Sequence, residues 1–183
     1  THHPAMRFAG PVLKQLGVRT IFNLLGPLTN PAGATRQVMG VPRADLTMTV
    51  AGVLRDLGAV RALVVHSADG LDEISTTAAT KGVEVRCGAT ILHDIDTTAL
   101  GLPRARLADL LVDSPQQSAE VIRGVLSGRQ GPARDIVAVN AAAAIMVGGA
   151  ADSLAACVAK AIASLDTGAA AGVLAKMVEI TNR

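Results

Sequence analysis

Arg61-Ala62-Leu63-Val64-Val65-His66 is the stretch that decides the fold. Its middle residues are all apolar, too apolar for a strand with one face in water, so it reads as a strand buried on both sides. Just upstream, Leu46, Val50, Val53, Leu54 and Leu57 recur at helical spacing. Asp45 is suited to cap that helix and Gly58 to end it. Residues 37–41 form a short strand candidate before it. Strand, helix and strand in this order argue for parallel pairing under a helical cover.

Downstream, residues 83–86 and 90–94 are shorter strand candidates. The pattern then turns helical. Ser114-Pro115-Gln116-Gln117 reads as a capping box with proline at the first position, and Val121, Ile122, Val125 and Leu126 form its buried side. Pro132 opens a further helix through the Ala-rich residues 138–147, and Asp152 and Thr167 are candidate caps for two more. At the other end, Pro4 and Gly17 bracket a helix whose Ala9, Val12, Leu13 and Leu16 share one face. The expected fold is a single α/β unit: a mostly parallel central sheet flanked by helices, with a helical C-terminal half. No repeat, charge block or linker divides it.

Composition narrows the function classes. Half of the 183 residues are hydrophobic but only 1% are aromatic, Phe8 and Phe22, so the core is built from Ala, Val, Leu and Ile. A net charge of +2, spread thinly and without aromatic stacking platforms, argues against a nucleic-acid surface. Cys87 and Cys157 match no metal or redox spacing; two isolated thiols imply a reducing compartment, with burial as their expected role. The longest apolar run, residues 136–151, is interrupted by Asn140 and is shorter than the ~20 residues of a membrane span. A cytoplasmic protein with no membrane partner is expected.

Two stretches carry chemistry. Thr20-Ile21-Phe22-Asn23-Leu24-Leu25-Gly26-Pro27-Leu28-Thr29-Asn30-Pro31 has no charge but two Asn, two Pro and a Gly. Its prolines exclude a buried strand, and a helix from Thr20 must end before Pro27. The segment beyond that helix reads either as an uncharged wall for a flat organic ligand or as a tight turn packed on the core. The second stretch, His66-Ser67-Ala68-Asp69-Gly70-Leu71-Asp72-Glu73, comes after the central strand, and ligand sites gather at the carboxyl ends of such strands. Three carboxylates in five residues repel one another unless solvated or bridged by a cation, so the stretch is either a solvated acidic turn or a magnesium site. Ser75, Thr76 and Thr77 suit phosphate contacts or a polar strand edge equally. His66 points to the site or is a hydrogen-bonded core histidine, and His93 has no supporting context.

The stretch of residues 20–31, with His2-His3-Pro4-Ala5-Met6-Arg7 and Asp69-Gly70-Leu71-Asp72-Glu73, resembles the anthranilate phosphoribosyltransferases of tryptophan biosynthesis, and the resemblance runs over nearly the whole chain. The resemblance implies the large α/β domain of the nucleoside phosphorylase and class III phosphoribosyltransferase type. It implies transfer from phosphoribosyl pyrophosphate to anthranilate. Asp72 and Glu73 would hold Mg2+, and His3, Asn23, Gly26 and Pro27 would line the anthranilate side. Residues 1–183 would be the C-terminal part of the catalytic domain of a protein that is a homodimer at full length. The family's N-terminal helical domain and glycine-rich phosphate loop have no counterpart in this sequence, so the chain alone is expected to be inactive. A second departure is Leu13, where the family carries an arginine for the anthranilate carboxylate. It keeps open a related phosphoribosyltransferase or nucleoside phosphorylase with another acceptor. A non-catalytic nucleic-acid-binding relative is the remaining alternative.

Overall fold

The central strand forms as β2 (Arg61–Ser67), buried on both faces as its composition requires. Ala62 and Val64 join one apolar cluster with Val50, Ala51 and Leu54, while Leu63 and Val65 join another with Ala138, Val139, Ala142 and Val158. The computed structural model describes Gln15, residues 22–30 and residues 32–182. His2, His3, Leu13, the expected helix between Pro4 and Gly17 and the side chain of Asn23 lie outside the described residues.

In chain order the elements are α1 (Phe22–Leu28), β1 (Arg36–Gly40), α2 (Leu46–Asp56), β2, β3 (Thr80–Arg86) and β4 (Ala89–Ile95). Two short 3-10 turns come next, and then α3 (Pro115–Leu126), α4 (Pro132–Gly148), α5 (Leu154–Asp166) and α6 (Ala169–Thr181). The sheet has the order β1-β2-β3-β4. Helix α2 covers one face, and α4 with α5 covers the other. The α/β architecture with a helical C-terminal half is as expected.

The sheet is mixed. The parallel pairing expected from the strand–helix–strand order is found at β1–β2, where Val38 faces Leu63. The pairs β2–β3 and β3–β4 are antiparallel. The cause is the connection: no helix carries the chain back after β2, so β3 returns alongside it. Between β3 and β4 the turn Cys87-Gly88 takes φ of 51° and 76°, the left-handed pair that a tight hairpin requires. That turn leaves Cys87 exposed, contrary to its expected burial, whereas Cys157 is buried between helices.

Several helix ends differ from expectation. Helix α1 runs through Pro27 instead of stopping before it. Gly26 has no Cβ to clash with the proline ring, and Thr29 closes the last turn on the Leu25 carbonyl with its N–H at 2.9 Å and its hydroxyl at 2.7 Å. Asp45 makes no cap; its carboxylate is held bidentately by Arg43 at 3.0 and 2.7 Å. Ser153, not Asp152, caps α5, and Gly168, not Thr167, opens α6. Ser114 caps α3 as expected, accepting from Gln117 N at 3.1 Å, but the Gln117 side chain accepts from Asp113 N. On α3, Ile122 is exposed; Val125 and Gly124 carry the burial.

A buried ion pair joins the sheet to α4. Arg61 Nε donates to Glu84 Oε1 at 2.7 Å, with side chains only 6% and 5% exposed. Arg61 Nη1 donates to Met146 O at 2.7 Å, and Arg36 Nη1 to Val147 O at 2.6 Å. Two strand arginines thus reach carbonyls in the last turn of α4, at its negative pole, where Met146 O also accepts from Gly149 N at 3.0 Å. His93 gains a context here, with Nε2 3.0 Å from Glu84 Oε2. Among the described residues no single helix is long and apolar enough to cross a membrane; α5 and α6 reach that length only as a pair bent by 68°.

Removing one partner of such a pair leaves a buried charge uncompensated. Arg61→Met is therefore expected to cost about 3–5 kcal/mol in urea unfolding. The double variant Arg61→Met/Glu84→Leu is expected to recover most of that loss, because the desolvated charge is then gone.

Candidate functional site

The loop leaving β2 separates the three carboxylates into two classes. Gly70, at φ 93°, turns the chain, and Leu71 O accepts from Ser67 N at 2.9 Å. Asp69 faces inward: Oδ1 accepts from Leu71 N at 3.1 Å, and Oδ2 accepts from Ser75 Oγ at 2.6 Å and from Thr77 Oγ1. Partial burial alone would push its pKa up. The Ser75, Thr77 and Ser67 hydroxyls and the Leu71 N–H together outweigh burial and lower it to about 2. Asp69 is thus an anionic brace inside the loop. Asp72 and Glu73 are exposed. The repulsion expected among three acids is relieved by turning one of them into a ring of donors. Ser75 and Thr77, considered above for phosphate contacts, spend their hydroxyls on Asp69, and Thr76 is fully buried.

Backbone contacts hold the outward pair. A Cβ on Gly40 would overlap Asp72 O and stand 2.6 Å from Asp72 C, so only glycine lets the loop settle on the end of β1. On the other side, Asn140 of α4 clamps the residue after Glu73. Its Oδ1 accepts from Ile74 N at 2.9 Å, and its Nδ2 donates to Ile74 O at 2.8 Å and to Ile136 O at 3.0 Å. His66 Nδ1 donates to Val41 O at 2.8 Å, tying the carboxyl ends of β1 and β2 together. That is the structural role weighed for it above. Sequence reading did not assign Asn140 or Gly40 a part in this site. Their signals were present: an Asn within an apolar helical run has to find partners, and a Gly inside a strand marks a close approach.

The uncharged stretch lies elsewhere. Pro27, Leu28 and Asn30 line a groove of about 210 Å3 with Thr35, Gly58 and Ala59, at the amino ends of β1 and β2. Asp72 sits at the carboxyl end of β1, roughly 13 Å away along the strand. The described residues therefore do not bring Gly26 and Pro27 beside Asp72 and Glu73. Glu73 instead borders an apolar groove of about 390 Å3 formed by Leu71, Leu111, Ile122, Ile136 and Val137.

Among the described residues no group of three or more His, Cys, Asp or Glu side chains could hold a metal. Two adjacent exposed carboxylates are a fitting donor set for an ion that keeps waters and takes phosphate oxygens, as Mg2+ does. They are too few for a closed structural site.

Two consequences are measurable. Gly40→Ala is expected to cost about 1–3 kcal/mol in urea unfolding, the usual range for overpacking, and to shift the NMR signals of Asp72 and Glu73. Asp69 has a folded-state pKa below its unfolded value, so its contribution is present above about pH 4 and is lost as pH falls toward about 2. Asp69→Asn is expected to be less stable at neutral pH and to show a flatter acid limb than the unsubstituted chain, read as thermal midpoint against pH.

A family model described as "Glycosyl transferase family, a/b domain" matches residues 1–171. Anthranilate phosphoribosyltransferase from Methylobacillus flagellatus is 52% identical over 169 residues, covering 92% of this chain and 50% of the relative. The enzyme of that name from Moorella thermoacetica is 50% identical, covering 96% and 52%. The chain spans about half the length of the curated relatives it matches. The crystal structure of anthranilate phosphoribosyltransferase from Thermus thermophilus superposes with a TM-score of 0.90 at 41% identity, covering 99% of this chain and 54% of that one. The Saccharomyces cerevisiae enzyme, solved in complex with PRPP and Mg, shares the fold with a TM-score of 0.81 at 24% identity, covering 91% and 48%. With its α/β architecture and a family match over nearly its whole length, this chain belongs to the glycosyl transferase family and carries the family's α/β domain.

Proposed function

We propose that the chain serves phosphoribosyl transfer from phosphoribosyl pyrophosphate to anthranilate, giving N-(5-phosphoribosyl)anthranilate in tryptophan biosynthesis. It would act as the C-terminal part of the α/β catalytic domain. The observation that carries this reading is the exposed Asp72-Glu73 pair, fixed at the carboxyl edge of the sheet by Gly40 and Asn140. The names of the relatives that match the chain support it.

In this reading the two carboxylates hold Mg2+ on the pyrophosphate. When bound, the ion offsets the negative charge that grows on the departing group. Asp69 stays ionised but spends its oxygens inside the loop, so it shapes the site without serving as a ligand. The residues of the chain orient the donor; the amine of the acceptor then displaces pyrophosphate at the ribose carbon, a step that depends mainly on alignment. The acceptor roles of His3, Asn23, Gly26 and Pro27 rest on the resemblance of residues 2–7 and 20–31, not on the groove that Pro27 lines, which lies at the other end of β1 from Asp72. The same reading makes the full-length protein a cytoplasmic homodimer. A second reading, a related enzyme with a different acceptor, is favoured by Leu13 in place of the family's carboxylate-binding arginine. Product analysis with anthranilate against pyrimidine bases separates the two.

Calorimetry on the 183-residue chain tests the metal reading directly. Binding of phosphoribosyl pyrophosphate is expected to require Mg2+ and to weaken about tenfold or more in Asp72→Asn/Glu73→Gln. Binding that ignores both the ion and the substitutions would sink the reading. Turnover by the isolated chain is expected to be negligible. In the full-length polypeptide, Glu73→Gln is expected to lower kcat/KM about 100-fold or more, as loss of metal-assisted charge stabilisation implies.

A further inference from the structure

We infer that Asn140 is a positioning residue for the Asp72-Glu73 pair, an inference that rests on the metal reading above and deepens it. Ile74 directly follows Glu73 and is fully buried, so its backbone N–H and C=O have no water to bond. Asn140, 66 positions away on α4, supplies both partners. Its remaining amide proton goes to Ile136 O on its own helix, so the carboxamide plane is fixed at every polar atom. Helix α4 is itself held at its far end by Arg61 and Arg36. The backbone beside Glu73 is therefore referenced to a rigid helix, while Asp72 is referenced to β1 through Gly40.

That double reference matters for a small ion. Mg2+ demands near-ideal octahedral geometry, so two neighbouring ligands on a mobile loop would hold it poorly. A residue that orients ligands without touching the metal commonly changes affinity about 10–100-fold. Substituting Asn140 leaves both ligands in the chain and removes only their reference.

Paramagnetic broadening of backbone amides by Mn2+, followed by NMR on the 183-residue chain, tests this. Asn140→Ala is expected to raise the Mn2+ concentration that half-broadens the Asp72 and Glu73 amides about tenfold. Asn140→Asp keeps the acceptor for Ile74 N–H and loses the donor, so it is expected to fall between. Val139→Ala, which truncates a fully buried neighbour on α4, loosens the same core and is expected to leave the titration unchanged. Equal titrations in the unsubstituted chain and both Asn140 variants overturn the positioning role while the metal reading stands. Equal weakening by Val139→Ala overturns it too, because the effect is then one of packing. Absence of broadening at residues 72 and 73 in the unsubstituted chain overturns the metal reading, and this inference with it.

Discussion

The carbonyl of Asp72 rests on the α-carbon of Gly40 so closely that no larger residue fits at that strand position. This contact seats the loop after β2 on the carboxyl end of β1 and so helps to set where the acidic pair is displayed. Everything else in the loop is consistent with it. Asp69 gathers hydroxyls and an N–H beneath the turn, His66 ties the two strand ends, and Asn140 closes the far side. A mobile acidic turn would need none of these bonds, several of which involve partly buried groups.

Charge is handled by the same rule at two places. Where a carboxylate is turned into the protein it is surrounded: Asp69 by donors from its own loop, Glu84 by Arg61 and His93. Where carboxylates are left without such partners in the loop, as at Asp72 and Glu73, they face solvent. Burying an unpaired charge is expensive, so an acid turned inward needs donors around it, and an acid without them stays in water. Arg61 links the two halves of the molecule, because it neutralises Glu84 in the sheet and also holds the end of the helix that carries Asn140.

Much of the fold was legible because it depends on local pattern. Residues 61–66 could only be a two-sided strand, and the stripe after Asp45 could only be a helix covering it. The sheet's mixed pairing was not legible, since pattern says nothing about whether a strand returns beside its predecessor or crosses over first. Helix ends were misread where alternatives lay one residue apart: Ser153 beside Asp152, Gly168 beside Thr167. Pro27 misled in another way, because Gly26 before it removes the clash that normally ends a helix.

The sequence by itself determined the α/β class, the buried strand and the acidic loop at its end, along with the family to which the motifs belong. The first three come from periodicity, composition and short-range spacing; the family comes from the resemblance of residues 2–7, 20–31 and 69–73. Only the tertiary structure decided which of three neighbouring acids turns inward, that a helix asparagine holds the loop, and that Pro27 and Asp72 occupy opposite ends of β1. Each of those depends on contacts between residues distant in the chain or on how an edge is approached, and side-chain pattern along a sequence does not encode either.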